Sequence, residues 1–249
     1  MAAKSKKISI VIPIYKDTLN HNEVMVIKNL LELYGAKKLC IACPKSIKLS
    51  SEVTIDIKKE EFNDSYFKSI ESYNKLMLSE EFYERFSGFK FILIHQLDAY
   101  LFKDELDFWC DQDYDYIGAP WLRDERFLVK IFRSKKVKKR GPIFNKVGNG
   151  GLSLRKIDTF LKFTRKHRQL IENYKSHSLY GIEDVFWSII APKFEKFSIP
   201  NYEIAAKFSL DRKPALGMKL NNNKLPFGCH GFEKDKTKKF WKKFIKEIK

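Results

Sequence analysis

No apolar run in the 249-residue sequence approaches the roughly 20 residues that cross a bilayer, so a membrane-spanning helix is not expected. The basic start MAAKSKK leads into an apolar run too short for a leader. That run reads as a strand, and the expected location is the cytosol, at most peripheral at the inner face of the cell membrane. Cysteine is scarce, with four residues at positions 40, 43, 110 and 229. A reducing compartment makes free thiols the default. Cys40 and Cys43 have C-x-x-C spacing, but no second close pair completes a zinc site, and their run LCIACP reads as an ordinary strand. The glycine cluster at 148–151 lacks the Gly-Lys-Ser/Thr ending of a phosphate-binding P-loop. There is no internal repeat. No RRM, KH or helix-turn-helix signature is present, so nucleic acid is not an expected partner despite the charge.

The sequence does have positive charge and a core. Lys and Arg number 48 against 31 Asp and Glu, a net +17, which favours anionic partners such as nucleotide phosphates or an anionic membrane surface. The apolar fraction of 44%, with 14% aromatics, is that of a folded globular chain. Positive charge concentrates at Arg133–Arg140 and Lys234–Lys249. The expected organisation is one domain over residues 1–233 and a basic amphipathic tail over 234–249.

Apolar patterning sets the expected elements. Ile8–Tyr15 is a buried strand, Asn22–Tyr34 a helix stopped by Gly35, and Lys38–Cys43 a second strand. Val53–Ile57 is a third strand, and Tyr73–Phe86 a helix. Leu106–Cys110 is a short helix or turn, and Tyr114–Trp121 a strand entering a Gly-Pro turn. A helix is expected at Ile157–Asn173 and another at Val185–Ile190, with a late strand at Ile204–Ser209. The opening β-α-β-β order points to an α/β sheet of nucleotide-binding type. The long basic segment Arg123–Val147 is either a solvated loop or a lid.

The chain is organised around KFILIHQLDAYLF, Lys90–Phe102. Phe91–Ile94 suits a strand buried on both faces. Asp98 then stands beyond the strand end, where open α/β sheets bind ligands. It is a hard donor for a divalent cation carrying phosphate, or else the cap of a turn. In the tail, Phe240, Trp241, Phe244, Ile245 and Ile248 share one helical stripe, with lysines opposite. Such a helix either lies on an anionic membrane or docks its stripe on the domain.

Five segments in order, FILIHQLDAYLF, YDYIGAPW, VGNGGLSLR, IEDVFW and PFGCHGF, resemble a bacterial family of glycosyltransferase-like domains found with surface-polysaccharide genes. The resemblance covers about Phe91–Phe232 and implies a GT-A-like, Rossmann-like fold: a mixed central sheet flanked by helices. In the wider GT-A class an Asp-x-Asp motif holds a divalent metal on the nucleotide diphosphate. Here the triplet is Gln96-Leu97-Asp98, with Asp98 matching the last aspartate and the first one missing. The resemblance implies Mn²⁺ or Mg²⁺ held by Asp98 and His230, while His95 reads as a packed histidine. It implies Asp184 as the base, with Glu183 orienting the acceptor. On local sequence alone, both read equally as helix-start carboxylates. Gly150 and Gly151 would lie beneath the donor sugar, and Gln96 at the donor. Trp121 would stack on the acceptor or serve as a core residue. Pro13, Ile14 and Tyr15 would contact the nucleotide base, and Asn74 the nucleotide.

The activity these residues imply is transfer of a sugar from a nucleotide-diphosphate donor, expected to be a UDP-sugar, to a surface glycan or lipid-linked acceptor. Inversion and metal assistance are expected. The competing readings are a nucleotidyltransferase acting on a sugar phosphate and, behind it, a nucleic-acid-binding protein.

Overall fold

The computed structural model describes residues 8–50, 52–123 and 141–248. Most of the candidate lid, residues 124–140, lies outside them. Among the described residues no helix is long and apolar enough to cross a membrane.

Six strands form the main sheet in the order β3-β2-β1-β4-β7-β6. They are β1 (Ile8–Pro13), β2 (Leu39–Pro44), β3 (Lys58–Phe62), β4 (Phe91–His95), β6 (Tyr116–Gly118) and β7 (Leu152–Lys156). β3, β2, β1 and β4 run parallel, while β7 is antiparallel to both β4 and β6, giving a mixed sheet. β1, β2 and β4 are buried along their whole length. Continuous apolar runs such as ISIVI and FILI fit positions covered on both faces. Each fully buried Ile, Leu or Val there contributes about 1.5–3 kcal/mol. A second, small sheet has the order β5-β9-β8, built from β5 (Ala99–Leu101), β8 (Ser209–Leu210) and β9 (Gly228–His230).

The helices are α1 (His21–Tyr34), α2 (Ile70–Met77), α3 (Glu80–Arg85), α4 (Leu106–Asp111), α5 (Ile157–Lys166), α6 (Arg168–Lys175), α7 (Glu183–Val185), α8 (Tyr202–Phe208), α9 (Pro214–Leu220) and α10 (Asp235–Trp241). α1 begins at a capping box: the Asn20 side chain accepts from the Glu23 N–H, and the Asn20 N–H donates to the Glu23 carboxylate. α7 runs directly into a π-helical turn, Phe186–Ile190.

Several elements differ from expectation for local reasons. The third strand is the charged Lys58–Phe62, not Val53–Ile57, where Glu52–Thr54 forms a 3₁₀ turn. At the sheet edge β3 needs only Phe62 inward and leaves its lysines in solvent, so it carries little apolar signal. The helix expected over Tyr73–Phe86 is two helices, because Ser79 caps a new one through the Phe82 N–H. His167 divides the expected Ile157–Asn173 helix in the same region of the fold. The late strand is helix α8, started by Asn201 accepting from the Ile204 N–H; only Ser209–Leu210 is extended. Cys40 and Cys43 are buried in β2, and burial pushes their thiols up, to about 12 and about 11. Neither has the low pKa of a reactive thiol.

The tail is packed on the domain. Trp241, Ile245 and Ile248 are buried in one cluster with Val26, Leu210, Cys229 and Phe232, and Trp241 stacks on Phe102 at 5.4 Å. The apolar stripe that would have entered a membrane is therefore used inside the protein. Phe244 alone of that stripe is exposed.

Candidate active site

The carboxyl end of β4 and the start of β7 meet at the middle of the main sheet. His95 pairs with Leu152, and the Gln96 N–H donates to the Gly151 carbonyl at 2.8 Å. β5 follows at once and pairs with β9 in the register Ala99–His230. This antiparallel contact places Asp98 beside His230, 132 positions later in the chain by number. The chain after His230 folds back because Gly231 takes the left-handed conformation, φ 67°, while its N–H donates to the Asp98 carbonyl at 2.8 Å. Lys234 returns to the same carboxylate as a result.

The cluster has definite geometry. His230 Nε2 lies 2.9 Å from Asp98 Oδ1 and 3.2 Å from Gln96 Oε1. On its other side Nδ1 faces Asp211 Oδ1 at 3.7 Å. Lys234 Nζ stands 3.5 Å from Asp98 Oδ2 and 3.9 Å from Asp211 Oδ1. Burial works against a charged imidazole, but Asp98 and Asp211 overcome it and raise His230 to about 9. Burial works against a charged Asp98 too; His230 and Lys234 overcome it and hold the carboxyl well below the usual carboxylate range. His95, by contrast, is wholly buried, and loss of solvent lowers its pKa to about 4, so it is a neutral packed side chain.

Among the described residues no group of three His, Cys, Asp or Glu is gathered around a metal position. The donors fit a cation differently, as Asp98 Oδ1, His230 Nε2 and the Gln96 carboxamide oxygen. Their separations of 2.9 and 3.2 Å match adjacent ligands about 2.1 Å from an octahedral ion. A ligand's phosphate oxygens and water would complete such a shell.

Gly150 and Gly151 join this cluster to a second one. A Cβ on Gly151 would lie 2.1 Å from His230 Nε2 and 2.7 Å from Gln96 Oε1; one on Gly150 would lie 1.7 Å from Glu183 Oε1. The Gly150 N–H donates to Asp184 Oδ2 at 3.3 Å, and Asp184 Oδ1 has no hydrogen-bond partner among the described residues. Burial raises the Asp184 carboxyl, against the pull of the Gly150 N–H. The two clusters are thus neighbours across two adjacent glycines.

The other expected residues divide. Pro13, Tyr15, Gln96 and Asp98 line one cavity of about 600 Å³, together with Lys16, Lys68 and Tyr73. Ile14 does not: its side chain is fully buried and its N–H is spent on the Ala42 carbonyl. Asn74 does not line it either; its side-chain oxygen accepts the Glu183 N–H at 3.2 Å. Glu183 is not an open acceptor ligand but a buried carboxylate paired with Arg155, Nη2 standing 3.1 Å from both oxygens. The Trp121 ring packs on Gly148, half-buried beside Ile143, Leu179 and Val185. Lys234, Asp211 and Arg155 belong to these clusters without standing among the expected residues. Lys234 falls in the expected tail, although the tight turn at Gly231 signals that the chain reverses there. Asp211 and Arg155 carried no local mark.

Similar solved structures share this architecture. The galactosyltransferase LgtC, in complex with donor and acceptor sugar analogs, is similar over 96% of this chain and 94% of its own, with TM-score 0.59 and 14% identity. Mouse xyloside xylosyltransferase 1, apo form, is similar over 90% of this chain and 97% of its own, with TM-score 0.54 and 13% identity. The glycosyltransferase GlyE of Streptococcus pneumoniae TIGR4 covers 94% of this chain over 56% of its own, with TM-score 0.52 and 12% identity. The shared feature is the fold, a GT-A-type mixed sheet flanked by helices. No curated protein matches the sequence. The family profile described as a protein of unknown function, DUF5672, matches residues 56–230, well over half of the sequence, and the chain belongs to that family.

Proposed function

We propose that the protein is a glycosyltransferase that moves a sugar from a nucleoside-diphosphate donor to a hydroxyl of a glycan or lipid-linked acceptor. The observation that carries this reading is the pairing across Gly150-Gly151. On one side stand Asp98, His230 and Lys234; on the other stands Asp184, with one carboxylate oxygen unpartnered among the described residues. The adjoining cavity of about 600 Å³ is in the range that takes a nucleotide-sized ligand. Tyr15, 66% exposed on its wall, offers a face for a base, and Lys16 and Lys68 offer charge for phosphates. A UDP-sugar is the donor proposed.

In this reading Lys234 sets positive charge where the departing diphosphate gains negative charge. A Mn²⁺ or Mg²⁺ ion held by Asp98 and His230 would add Lewis-acid stabilisation of that same leaving group. Asp184 Oδ1 takes the acceptor proton as the acceptor oxygen bonds to the anomeric carbon, and the electrons of the carbon–phosphate oxygen bond leave with the diphosphate. A carboxyl raised by burial is a stronger base than an ordinary one. Attack from the face opposite the diphosphate inverts the anomeric centre, so a product with retained configuration would remove Asp184 from this role. Half-buried Trp121, beside Gly148, is proposed as the platform for the acceptor sugar.

The test is a thermal-shift screen of nucleotide sugars with and without Mn²⁺, followed by product analysis with Asp98→Ala and Asp184→Ala. Donor-dependent stabilisation, nucleoside-diphosphate release and its loss in both folded variants are expected. Release of pyrophosphate would instead identify a nucleotidyltransferase.

A further inference from the structure

We infer that Arg155, a fully buried residue, is the positioning residue for Asp184 and acts through Glu183. The inference rests on the reading of Asp184 as the proton acceptor. Arg155 sits on β7 between Ile92 of β4 and Tyr116 of β6, and its side chain is fully buried. Each nitrogen of its guanidinium donates a hydrogen bond. Nε donates to Ser153 Oγ at 3.1 Å, Nη1 to the Tyr83 hydroxyl at 2.9 Å, and Nη2 to Glu183. The Tyr116 and Phe160 rings lie 5.6 and 5.7 Å from its centre. Such a planar fork, held on several sides, has one orientation available.

Glu183 transmits that orientation. Its carboxylate is held by Arg155 and its N–H by Asn74, so the first residue of α7 is pinned at both ends. Asp184 is the next residue. Gly150 closes the loop from the other direction: its missing side chain leaves room for the Glu183 carboxylate, and its N–H binds Asp184. Strand β7 therefore grips the helix start twice, through the Arg155 side chain and through the Gly150 backbone. Arg155 also balances Glu183 electrically, leaving Asp184 as the carboxylate of the pair without a cationic partner within ion-pair distance among the described residues.

A buried ion pair is a poor way to gain stability, since apolar residues of similar volume serve as well or better. Its place here, one residue from the proposed base, is accounted for by positioning. A displacement of about 1 Å at a reacting group costs on the order of 100-fold in rate.

The test compares Arg155→Met, Arg155→Lys, the double variant Arg155→Met/Glu183→Leu and Asp184→Asn, each measured for melting temperature, stabilisation by nucleoside diphosphate, donor KM and kcat. Arg155→Met is expected to melt well below the parent, because it strands the Glu183 carboxylate. The double variant is expected to recover the melting temperature and keep the nucleoside-diphosphate shift and the donor KM within about twofold, yet stay on the order of 100-fold low in kcat. Recovery of kcat together with stability would overturn the inference by making the pair purely structural. If the double variant does not fold, Arg155→Lys decides: it keeps the charge and loses the fork, so a fall in kcat at unchanged donor KM supports positioning, and parental kcat refutes it. Full turnover by Asp184→Asn would instead bring down the underlying assignment of the base, whatever the Arg155 variants do.

Discussion

Replacing Gly151 by alanine adds one methyl where the backbone passes against His230 and Gln96. The new carbon would stand 2.1 Å from His230 Nε2, 2.4 Å from His230 Cδ2 and 2.7 Å from Gln96 Oε1. Gly151 is not one of the two described glycines with positive φ, Gly35 and Gly231, so the substitution is steric and carries no backbone penalty. To restore ordinary contact the imidazole must move by roughly 1 Å. It has little room: the ring is 8% exposed, with Asp98 on one nitrogen and Asp211 facing the other. Overpacking of this kind costs about 1–3 kcal/mol. Movement away from Asp98 also removes much of what raises the imidazole to about 9, so its pKa should fall toward the ordinary value near 6.5. Equilibrium urea denaturation reads the first effect, and an NMR titration of the histidine ring protons in the metal-free protein reads the second. Gly88→Ala is the control, since a Cβ there meets nothing within 4 Å. A Gly151→Ala protein with parental stability and an imidazole still titrating near 9 would show that Gly151 does not press on His230, and the convergence of the two clusters would fall with it.

Other variants probe the same construction. Trp241→Ala, which empties a fully buried ring stacked on Phe102, should cost about 3–5 kcal/mol by urea denaturation; a loss under 1 kcal/mol would mean that the tail is not docked. His230 is raised in the folded protein, so its stabilising contribution is complete below about 6.5 and is lost as pH climbs through about 9. Metal-free protein should therefore lose on the order of 3 kcal/mol across that interval, and Asp98→Asn should flatten the slope; an unchanged slope would separate His230 from Asp98. Gln96→Asp restores a second carboxylate beside Asp98 and His230, and should tighten Mn²⁺ binding measured by calorimetry, whereas unchanged or weaker binding would show that position 96 does not face the ion.

What the sequence made readable follows from what is local. Phe91–Ile94 and Ile8–Ile12 are buried on both faces, so their character is written in consecutive residues. Asp98 and His230 stand out because each sits in a recognisable short segment, and the structure brings them within 2.9 Å of each other. β3 was misplaced because an edge strand needs only one buried residue, and α8 because an Ala-rich apolar stretch between strands has no period of its own; its start is marked only by Asn201. Arg155 was invisible for a deeper reason. A charged residue in a strand reads as solvent-facing, and only the partners at positions 83, 153 and 183 make its burial possible. Asn74 and Glu183, expected at the nucleotide and the acceptor, are joined to each other through the Glu183 N–H and the Asn74 side-chain oxygen, and Glu183 pairs with Arg155.

The small sheet explains why the tail cannot be treated as an appendage. β5 and β9 are three residues each, too short to be stable alone, yet they carry Asp98 and His230 into contact. Their support comes from behind. Tyr100 packs edge-on against Phe232, and Phe102 stacks on Trp241 while its N–H donates to the Phe227 carbonyl. α10 also begins directly after Lys234, with the Thr237 hydroxyl bonded to the Gly231 and Lys234 carbonyls. The C-terminal helix thus holds the turn that returns Lys234 to Asp98. Deleting it would disturb the ion cluster itself, so a truncated protein that fails to bind vesicles says nothing about membranes. The question belongs to the outward lysines, Lys236, Lys239, Lys242, Lys243 and Lys246, which can be changed without touching Trp241, Ile245 or Ile248.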